Sequence, residues 1–429
     1  MHMLLFALLI VSPDTLNLTL DQALRIGLRQ STVQAEVKAS KTQSVSTLAR
    51  GITALLPSVS GSVGYGKSNG FGLPESLRAG PDWSWTGNLT INQVVFDPAV
   101  FTGLASSIVY SQYYSTDARN RQAKLVYDIT TDYLNLLKAQ LLRDAARAAL
   151  CRADENLKVI REKHRLGSAS EIDLMRFEVF KSQAEIELLK AEKSLAVAAV
   201  VFKATVNLNG EVAVQPTEEL TQPAGFRVSD PDSLLAEIKR RNPGLAMAAK
   251  SNTIARINLA SSVSQALPSV SAYWASNYSD SCFPSVSHQW NDNDAVSYGI
   301  RATFPLLNLK SYILNIVDRA SESRRAGAAS MSAALTIRST ALSAILGYEE
   351  AKKTCGYARR NLKLNRRLHE LAKEQLRLGA ISLADLFGVE ADLAQAQATD
   401  TRALCDSYIQ AAQINYLLGM ARAPAKEAQ

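Results

Sequence analysis

The strongest constraint on this 429-residue chain is that it is written twice. Leu56-Pro57-Ser58-Val59-Ser60 returns as Leu267-Pro268-Ser269-Val270-Ser271, an offset of 211 residues (267 − 56). Val95-Phe96-Asp97 corresponds to Leu306-Leu307-Asn308 at the same offset (306 − 95). Leu166-Gly167-Ser168-Ala169-Ser170 corresponds to Leu378-Gly379-Ala380-Ile381-Ser382 at 212 (378 − 166). Three separate segments that keep one register indicate a tandem duplication. The join falls in the Pro- and Gly-containing stretch from Glu211 to Phe226. The expected organisation is therefore a leader at 1–13, a first repeat at 14–220, a second at 221–422 and a tail at 423–429.

Within each half the periodicity changes to two after the Leu-Pro-Ser-Val-Ser segment, which predicts strands with two unlike faces. Val59, Gly61, Val63 and Tyr65 alternate with Ser58, Ser60, Ser62 and Gly64; Trp83, Trp85, Leu89 and Ile91 alternate with Ser84, Thr86, Asn88, Thr90 and Asn92. The second half repeats the plan with Val270, Ala272, Trp274 and Tyr278, then Val296, Tyr298, Ile300, Ala302 and Phe304. Strands are expected at about 57–66, 83–96, 268–278 and 296–306, with polar loops at 67–82 and 279–295. Amphipathic strands of about ten residues, rich in Trp and Tyr, suit a transmembrane β-barrel, although the alternation alone also suits a half-buried soluble sheet. Four strands cannot close a barrel, and free edges are untenable in lipid, so the chain is expected to share its barrel with other chains.

The remainder reads as helix. Pro98 is well placed to open one after Asp97. From there to His164 there is no further proline and one glycine, Gly103, so about 67 residues rising 1.5 Å each would make a rod of roughly 100 Å. Val126, Ile129, Tyr133 and Leu136, then Leu157, Ile160 and His164, recur at spacings of three and four. Phe177, Phe180, Ala184, Leu188, Ala191, Leu195 and Ala198 do the same after the Gly167 turn. One antiparallel coiled-coil hairpin per half is expected, at about 98–207 and 308–419.

Composition narrows the function classes. No run reaches the roughly 18 consecutive apolar residues of a transmembrane helix, while the apolar segment from Met3 to Val11 resembles the core of a secretory signal peptide. Cys151, Cys282, Cys355 and Cys405 form no CxxC pair and read as unpaired packing residues. His369-Glu370 lacks the second histidine of a zinc-protease helix. No cofactor, metal or catalytic cluster is expected. The net charge of +7 and the basic run Lys352, Lys353, Arg359, Arg360, Lys363, Arg366 and Arg367 match no nucleic-acid-binding motif, so a solvated helix face is the reading. Gly61 to Ser68 satisfies GxxxxGKS, but the next residues, Asn69-Gly70-Phe71-Gly72-Leu73-Pro74, cannot supply the helix a phosphate loop needs.

The order of these segments resembles the TolC-like outer-membrane efflux protein family from about Leu18 to Gly419. The resemblance rests on the repeated Leu-Pro-Ser strand openings, the Val-Phe-Asp-Pro and Pro-Leu-Leu-Asn strand-to-helix exits, the Leu-Gly turns at Gly167 and Gly379, and the closing Leu-Asn-Gly and Leu-Leu-Gly at Gly210 and Gly419. It implies a homotrimer whose twelve strands form one β-barrel in the outer membrane of a Gram-negative bacterium, continued by an α-helical barrel across the periplasm. It also implies a passive exit duct in tripartite efflux or type I secretion, in contact with outer-membrane lipid. Its partners would be a periplasmic adaptor (membrane fusion) protein and an inner-membrane pump of RND, ABC or MFS type. By the same resemblance Asp385, six residues beyond Gly379, would contribute an acidic ring at a periplasmic gate, with Asp173 as its repeat counterpart. Gly388, Ile381 and Leu376 stand where a second ring aspartate, a latch arginine and a latch tyrosine occur in the family. The turns at Leu166, Gly167 and Ser168 and at Leu378, Gly379 and Ala380 would be adaptor-docking tips. For both aspartates, an ordinary acid in a helix's first turn is the competing reading. A coiled-coil envelope scaffold without transport is the competing function, and four amphipathic strands argue against it.

Overall fold

A computed structural model describes residues 15–66, 83–208, 212–220, 231–280, 294–304 and 309–422. In chain order the elements are β1 (Thr15–Leu18), α1 (Leu20–Gln30), α2 (Thr32–Thr53), β2 (Ser58–Gly66), β3 (Ser84–Phe96), α3 (Pro98–Arg165) and α4 (Glu171–Val206). They continue with β4 (Ala213–Pro216), α5 (Pro231–Arg241), α6 (Pro243–Ser264), β5 (Ser269–Asp280), β6 (Asp294–Thr303), α7 (Leu309–Arg377) and α8 (Leu383–Leu417). The signal-like segment, the Pro-Leu-Leu-Asn exit, Gly210 and most of both polar loops lie outside the described residues.

The sequence marks most of these boundaries with local chemistry. Asp97 caps α3 by accepting the Ala99 N–H at 2.8 Å, and Pro98 stands next, at the first helical position, where its missing N–H costs nothing. Thr19 and Gln22 close a capping box at the start of α1. No proline interrupts the 68 residues of α3 or the 69 of α7. Helices this long are held by packing along their length, since propensity alone gives little per residue.

The chain divides into two compact units whose boundaries fall inside α2, α3, α6 and α7. The first comprises Met1–Ala39, Asp117–Leu245 and Ala334–Gln429. Its core has two main clusters. In one, Ala23 and Leu24 of α1 and Leu125, Ile129, Tyr133 and Leu136 of α3 surround Phe202 and Val206 of α4. In the other, Leu234, Leu235 and Ile238 of α5 pack on Ile345 and Tyr348 of α7 and on Tyr408 and Ile414 of α8. A short amphipathic helix thus closes each long hairpin. Tyr133 and Phe202 meet edge to face with centroids 6.1 Å apart, an arrangement the ring quadrupoles favour. The Tyr133 hydroxyl donates to the Leu18 carbonyl at 2.9 Å, tying β1 to α3. β1 pairs in parallel with β4, from Thr15↔Ala213 to Leu18↔Pro216.

The second unit comprises Ser40–Thr116 and Ala246–Ala333. Its sheet is antiparallel throughout, in the order β2-β3-β5-β6. Among the described residues the sheet is open, with β2 and β6 at its edges. The central β3–β5 pair joins the two halves of the sequence and carries a bulge between Val94 and Phe96. The faces differ as the alternation requires. Val59, Val63, Tyr65, Leu89, Ile91, Val296, Tyr298 and Ile300 are exposed, and Tyr65 lies against Trp85 and Trp83 with centroids 4.7 and 5.2 Å away. On the polar face Asn88 Nδ2 donates to Asn277 Oδ1 at 2.6 Å, and Thr90 Oγ1 donates to Asn88 Oδ1 at 2.8 Å. Beside the sheet the helices approach through small residues: Ser44 Oγ donates to the Ser111 carbonyl at 2.8 Å, and the Thr102 and Ser261 hydroxyls are 3.0 Å apart.

Candidate functional site

The two Leu-Gly segments form the tips of the α3–α4 and α7–α8 hairpins, and both are built by the same local chemistry. At the first, the Gly167 N–H donates to the His164 carbonyl at 2.9 Å and the Ser168 N–H to the Lys163 carbonyl at 2.8 Å. At the second, the Gly379 N–H donates to Leu376 at 3.1 Å and the Ala380 N–H to Gln375 at 2.8 Å. This is the Schellman pattern, and it needs a residue with positive φ just past the helix end. Gly167 has φ +74° and Gly379 φ +71°, with nothing within 4 Å of where a Cβ would stand. The demand for glycine is conformational and not steric. Leu166 and Leu378 are 71% and 70% exposed, so each tip ends in an uncovered leucine beside small residues.

The descending helices begin with matched caps. Asp173 Oδ2 accepts from the Ser170 hydroxyl at 2.7 Å and from its N–H at 3.3 Å, while the Asp173 N–H donates to Ser170 Oγ at 3.1 Å. At the other tip Asp385 Oδ2 accepts from the Ser382 hydroxyl at 2.6 Å and from its N–H at 3.0 Å, and the Asp385 N–H donates to Ser382 Oγ at 3.2 Å. Donation from these serine groups holds both carboxyls below the usual aspartate range. Each aspartate therefore carries its negative charge at the tip and caps its helix with it. The positions of Gly388, Ile381 and Leu376 add no acid, arginine or phenol to this arrangement.

Below the tips the two hairpins touch. Phe387 of α8 packs edge to face on Phe177 of α4 at 4.1 Å and tilts over Phe180 at 5.0 Å, closing a cluster with Leu157 and Ile160 of α3. Asn156 Nδ2 donates to Glu390 Oε2 at 3.2 Å, linking α3 to α8. Glu390 Oε1 lies 3.6 Å from His369 Nε2 on α7. Two grooves run alongside. One, of about 120 Å³, is lined by Phe177, Phe180, Phe387 and Glu390; the other, of about 590 Å³, is lined mainly by alanines of α3, α4 and α8. Neither the Phe387 contact nor the Asn156–Glu390–His369 link leaves a signal in the sequence, because each joins segments far apart in the chain.

The other candidates fall elsewhere. The basic run on α7 is exposed, as a solvated face requires. Cys355 and Cys405 are free and buried, whereas Cys151 is free and exposed, so packing does not account for it. Gly61 to Gly66 lie within β2; Lys67 and Ser68 lie outside the described residues, as do Cys282 and His288. Among the described residues no group of three or more His, Cys, Asp or Glu side chains is placed to hold a metal ion. The α7 helix contains an 18-residue window apolar enough to cross a membrane by length and composition, yet only 17% of it is buried within the chain.

Asp154 supplies a pH-dependent strut between α3 and α4. Its carboxylate accepts from Lys158 and from Lys181, each at 2.8 Å, and these bonds pull it down to about 2. A carboxyl held below its unfolded value of about 3.9 contributes stability above that pH and loses it as the pH falls through the folded value. Wild type should therefore lose its advantage over Asp154→Asn between about pH 4 and 2, read by acid unfolding curves of the two proteins. Parallel curves across that window would contradict the assignment.

No protein-family model matches the sequence, and no curated protein sequence matches it. The structure, in contrast, has clear counterparts. It is similar to the CmeC outer membrane channel of Campylobacter jejuni, with a TM-score of 0.79 and 15% identity over 95% of this chain and 87% of that one. It is similar to the outer membrane protein VceC of Vibrio cholerae, with a TM-score of 0.78 and 14% identity over 94% and 96% of the two chains. The open-state MtrE outer membrane channel of Neisseria gonorrhoeae gives 0.73 and 14% over 95% and 91%. High coverage in both directions with so little identity means that the path of the backbone is shared where side chains are not. The chain has the fold of the TolC-like outer-membrane channels.

Proposed function

We propose that this protein is the outer-membrane exit duct of a tripartite efflux or type I secretion system, a homotrimer that passively conducts cargo away from an inner-membrane pump. The observation that carries the reading is the four-stranded sheet. It exposes rows of Val, Ile, Leu, Tyr and Trp on one face and keeps serine, threonine and asparagine on the other. Exposed apolar rows of this extent are unfavourable in water and favourable in lipid, with aromatics suited to the membrane interface. Three copies supply twelve strands and remove the free edges. The halves 14–220 and 221–422 act as two structural repeats, so each chain brings two helical hairpins to the periplasmic barrel. The uncovered apolar window of α7 supports contact with neighbouring copies.

In this reading the charged tips form the periplasmic mouth. Asp385, with Asp173 at the equivalent place on the other hairpin, rings the constriction with carboxylates that raise the local field and draw cations. In planar bilayers the reconstituted protein should conduct, and Asp385→Asn should lower cation selectivity and weaken block by multivalent cations. The Ser382 hydroxyl and N–H can donate to an asparagine Oδ1 as they do to the Asp385 carboxylate, so the helix start survives the change. Absence of any conductance would contradict the duct, whereas unchanged selectivity would turn Asp385 away from the lumen.

The exposed leucine tips are the docking points for a periplasmic adaptor, which would in turn hold an RND, ABC or MFS pump. Gly167→Val and Gly379→Val should each strain the turn by about 1 kcal/mol. Asn substitutions, which tolerate positive φ, should be milder. The valine variants should assemble in the membrane yet fail to restore export in cells lacking the native duct, and the asparagine variants should export. Normal export by both valine variants would move docking to the side of the barrel.

A further inference from the structure

The polar side of the four-stranded sheet carries a charge that the duct reading does not use. β2 and β3 contain no Asp, Glu, Lys or Arg, and β5 and β6 contain three such residues, Asp280, Asp294 and Arg301. Residues directly opposite each other on neighbouring strands share a face, and successive residues alternate. Asp280 stands opposite Trp85 and Asp294 opposite Tyr278, so both aspartates belong to the aromatic row and lie at strand ends. Arg301 stands opposite Ser271, on the other side from the exposed Tyr298 and Ile300. It is therefore the single charge on the polar side of the described strands.

Two neighbours fix its place. Tyr273 is directly opposite Gly299, and its ring lies toward the glycine, with Cε1 and the hydroxyl oxygen 3.5 Å from where a Cβ would stand. An aromatic side chain laid over a strand glycine covers backbone that would otherwise be bare. Arg301 is the diagonal neighbour of Tyr273, within reach of a long side chain. Its guanidinium carbon lies over the ring, 4.6 Å from the centroid, within cation–π range. The Arg301 side chain remains exposed. A guanidinium held in this way keeps a planar fork of N–H donors that matches the oxygens of a carboxylate or phosphate.

The first repeat shows that the sheet does not need this pair. At the offset of 211 residues, Tyr273, Gly299 and Arg301 correspond to Ser62, Asn88 and Thr90 (273 − 211, 299 − 211, 301 − 211), all neutral. The pairing agrees, since Ser62 faces Asn88 as Tyr273 faces Gly299. There the polar side is closed by hydrogen bonds among Thr90, Asn88 and Asn277. One repeat builds this place from neutral groups and the other puts a cation on it.

We propose that Arg301, positioned by Tyr273, is a contact for anionic cargo inside the barrel, and that three copies form a cationic collar. The inference rests on the duct reading, in which the polar side of the sheet lines the lumen. Arginine keeps its charge at every physiological pH. A ring of such charges in a water-filled pore raises the local concentration of anions and opposes cations. The groups it recognises are carboxylates and phosphates carried by the cargo. Its action on small ions is opposite in sign to that of the Asp385 carboxylates.

The test uses the reconstituted full chain in planar bilayers, with reversal potentials in a potassium chloride gradient and with citrate as the anionic blocker. Arg301→Gln and Arg301→Thr, the latter supplying the residue of the first repeat, should each lower the chloride-to-potassium permeability ratio about twofold or more and weaken citrate block. Arg301→Lys should keep the ratio. Tyr273→Phe, which keeps the ring, should preserve citrate block, and Tyr273→Leu should weaken it with the charge still present. A conducting wild type whose ratio or citrate block is unchanged in both neutral variants would overturn the collar and leave the duct standing, as would a lysine variant whose ratio falls with theirs. Equal block in the two Tyr273 variants would overturn the positioning by the ring. A wild type that does not conduct would remove the duct reading and the collar with it.

Discussion

The rest of this structure depends on the edges of one small sheet. Among the described residues, β2 and β6 each present a row of backbone N–H and C=O groups with no partner strand in the chain. In water such edges invite aggregation, and in lipid each unsatisfied group costs several kcal/mol. The faces of the sheet make retreat into a soluble core equally unfavourable, because the apolar rows on β2 and β6 stand uncovered by their own chain. Strands of this kind call for further strands at both edges of the sheet. The proposed trimeric barrel is the arrangement that satisfies edges and faces at once.

The helices answer a different demand. Duplication gives two long hairpins, and each is closed by a short amphipathic helix, α1 on α3 and α4, α5 on α7 and α8. The largest buried side chains, Tyr133, Tyr348 and Phe202, sit in these closures. Toward the tips packing thins to the cluster around Phe177 and Phe387, and the chain relies on Schellman turns and capping boxes. Rigidity is thus concentrated where α1 and α5 pack, while the tips are held by a few hydrogen bonds and ion pairs. That gradient suits a proposed mouth that opens while its support stays fixed.

Much of this plan is legible in the sequence, and the reason is physical. Alternation of Val59, Val63 and Tyr65 with serines is the mark of a two-faced strand, and β2, β3, β5 and β6 occur where such alternation stands. Gly167 and Gly379 mark turns because positive φ at a helix end leaves little choice. The features that escape a sequence reading are non-local or too short to carry a period. β1 and β4 have four residues each and find each other across 198 positions (213 − 15), and α2 and α6, at 22 residues each, carry little one-sided apolar period to mark them. Asp173 and Asp385 are legible as acids near a turn, and the family resemblance points to a gate where the Ser-x-x-Asp spacing points to a cap. In the structure both aspartates cap their helices, a role that a gate role can accompany. The His369–Glu390 pair cannot be found from spacing, since the hairpin register that joins them is set by packing.

The central claim is that β2 of one copy pairs with β6 of the next, and disulfide crosslinking between those edges tests it most directly. Val59 or Val63 on β2 would be changed to cysteine together with Val296 or Ile300 on β6, in a background without the native cysteines, and oxidised in detergent. At least one pairing should yield a covalent species of three times the chain mass, and either single variant should yield none. A folded chain that stays monomeric or dimeric, with no crosslink between these edges in any pairing, would contradict the shared barrel.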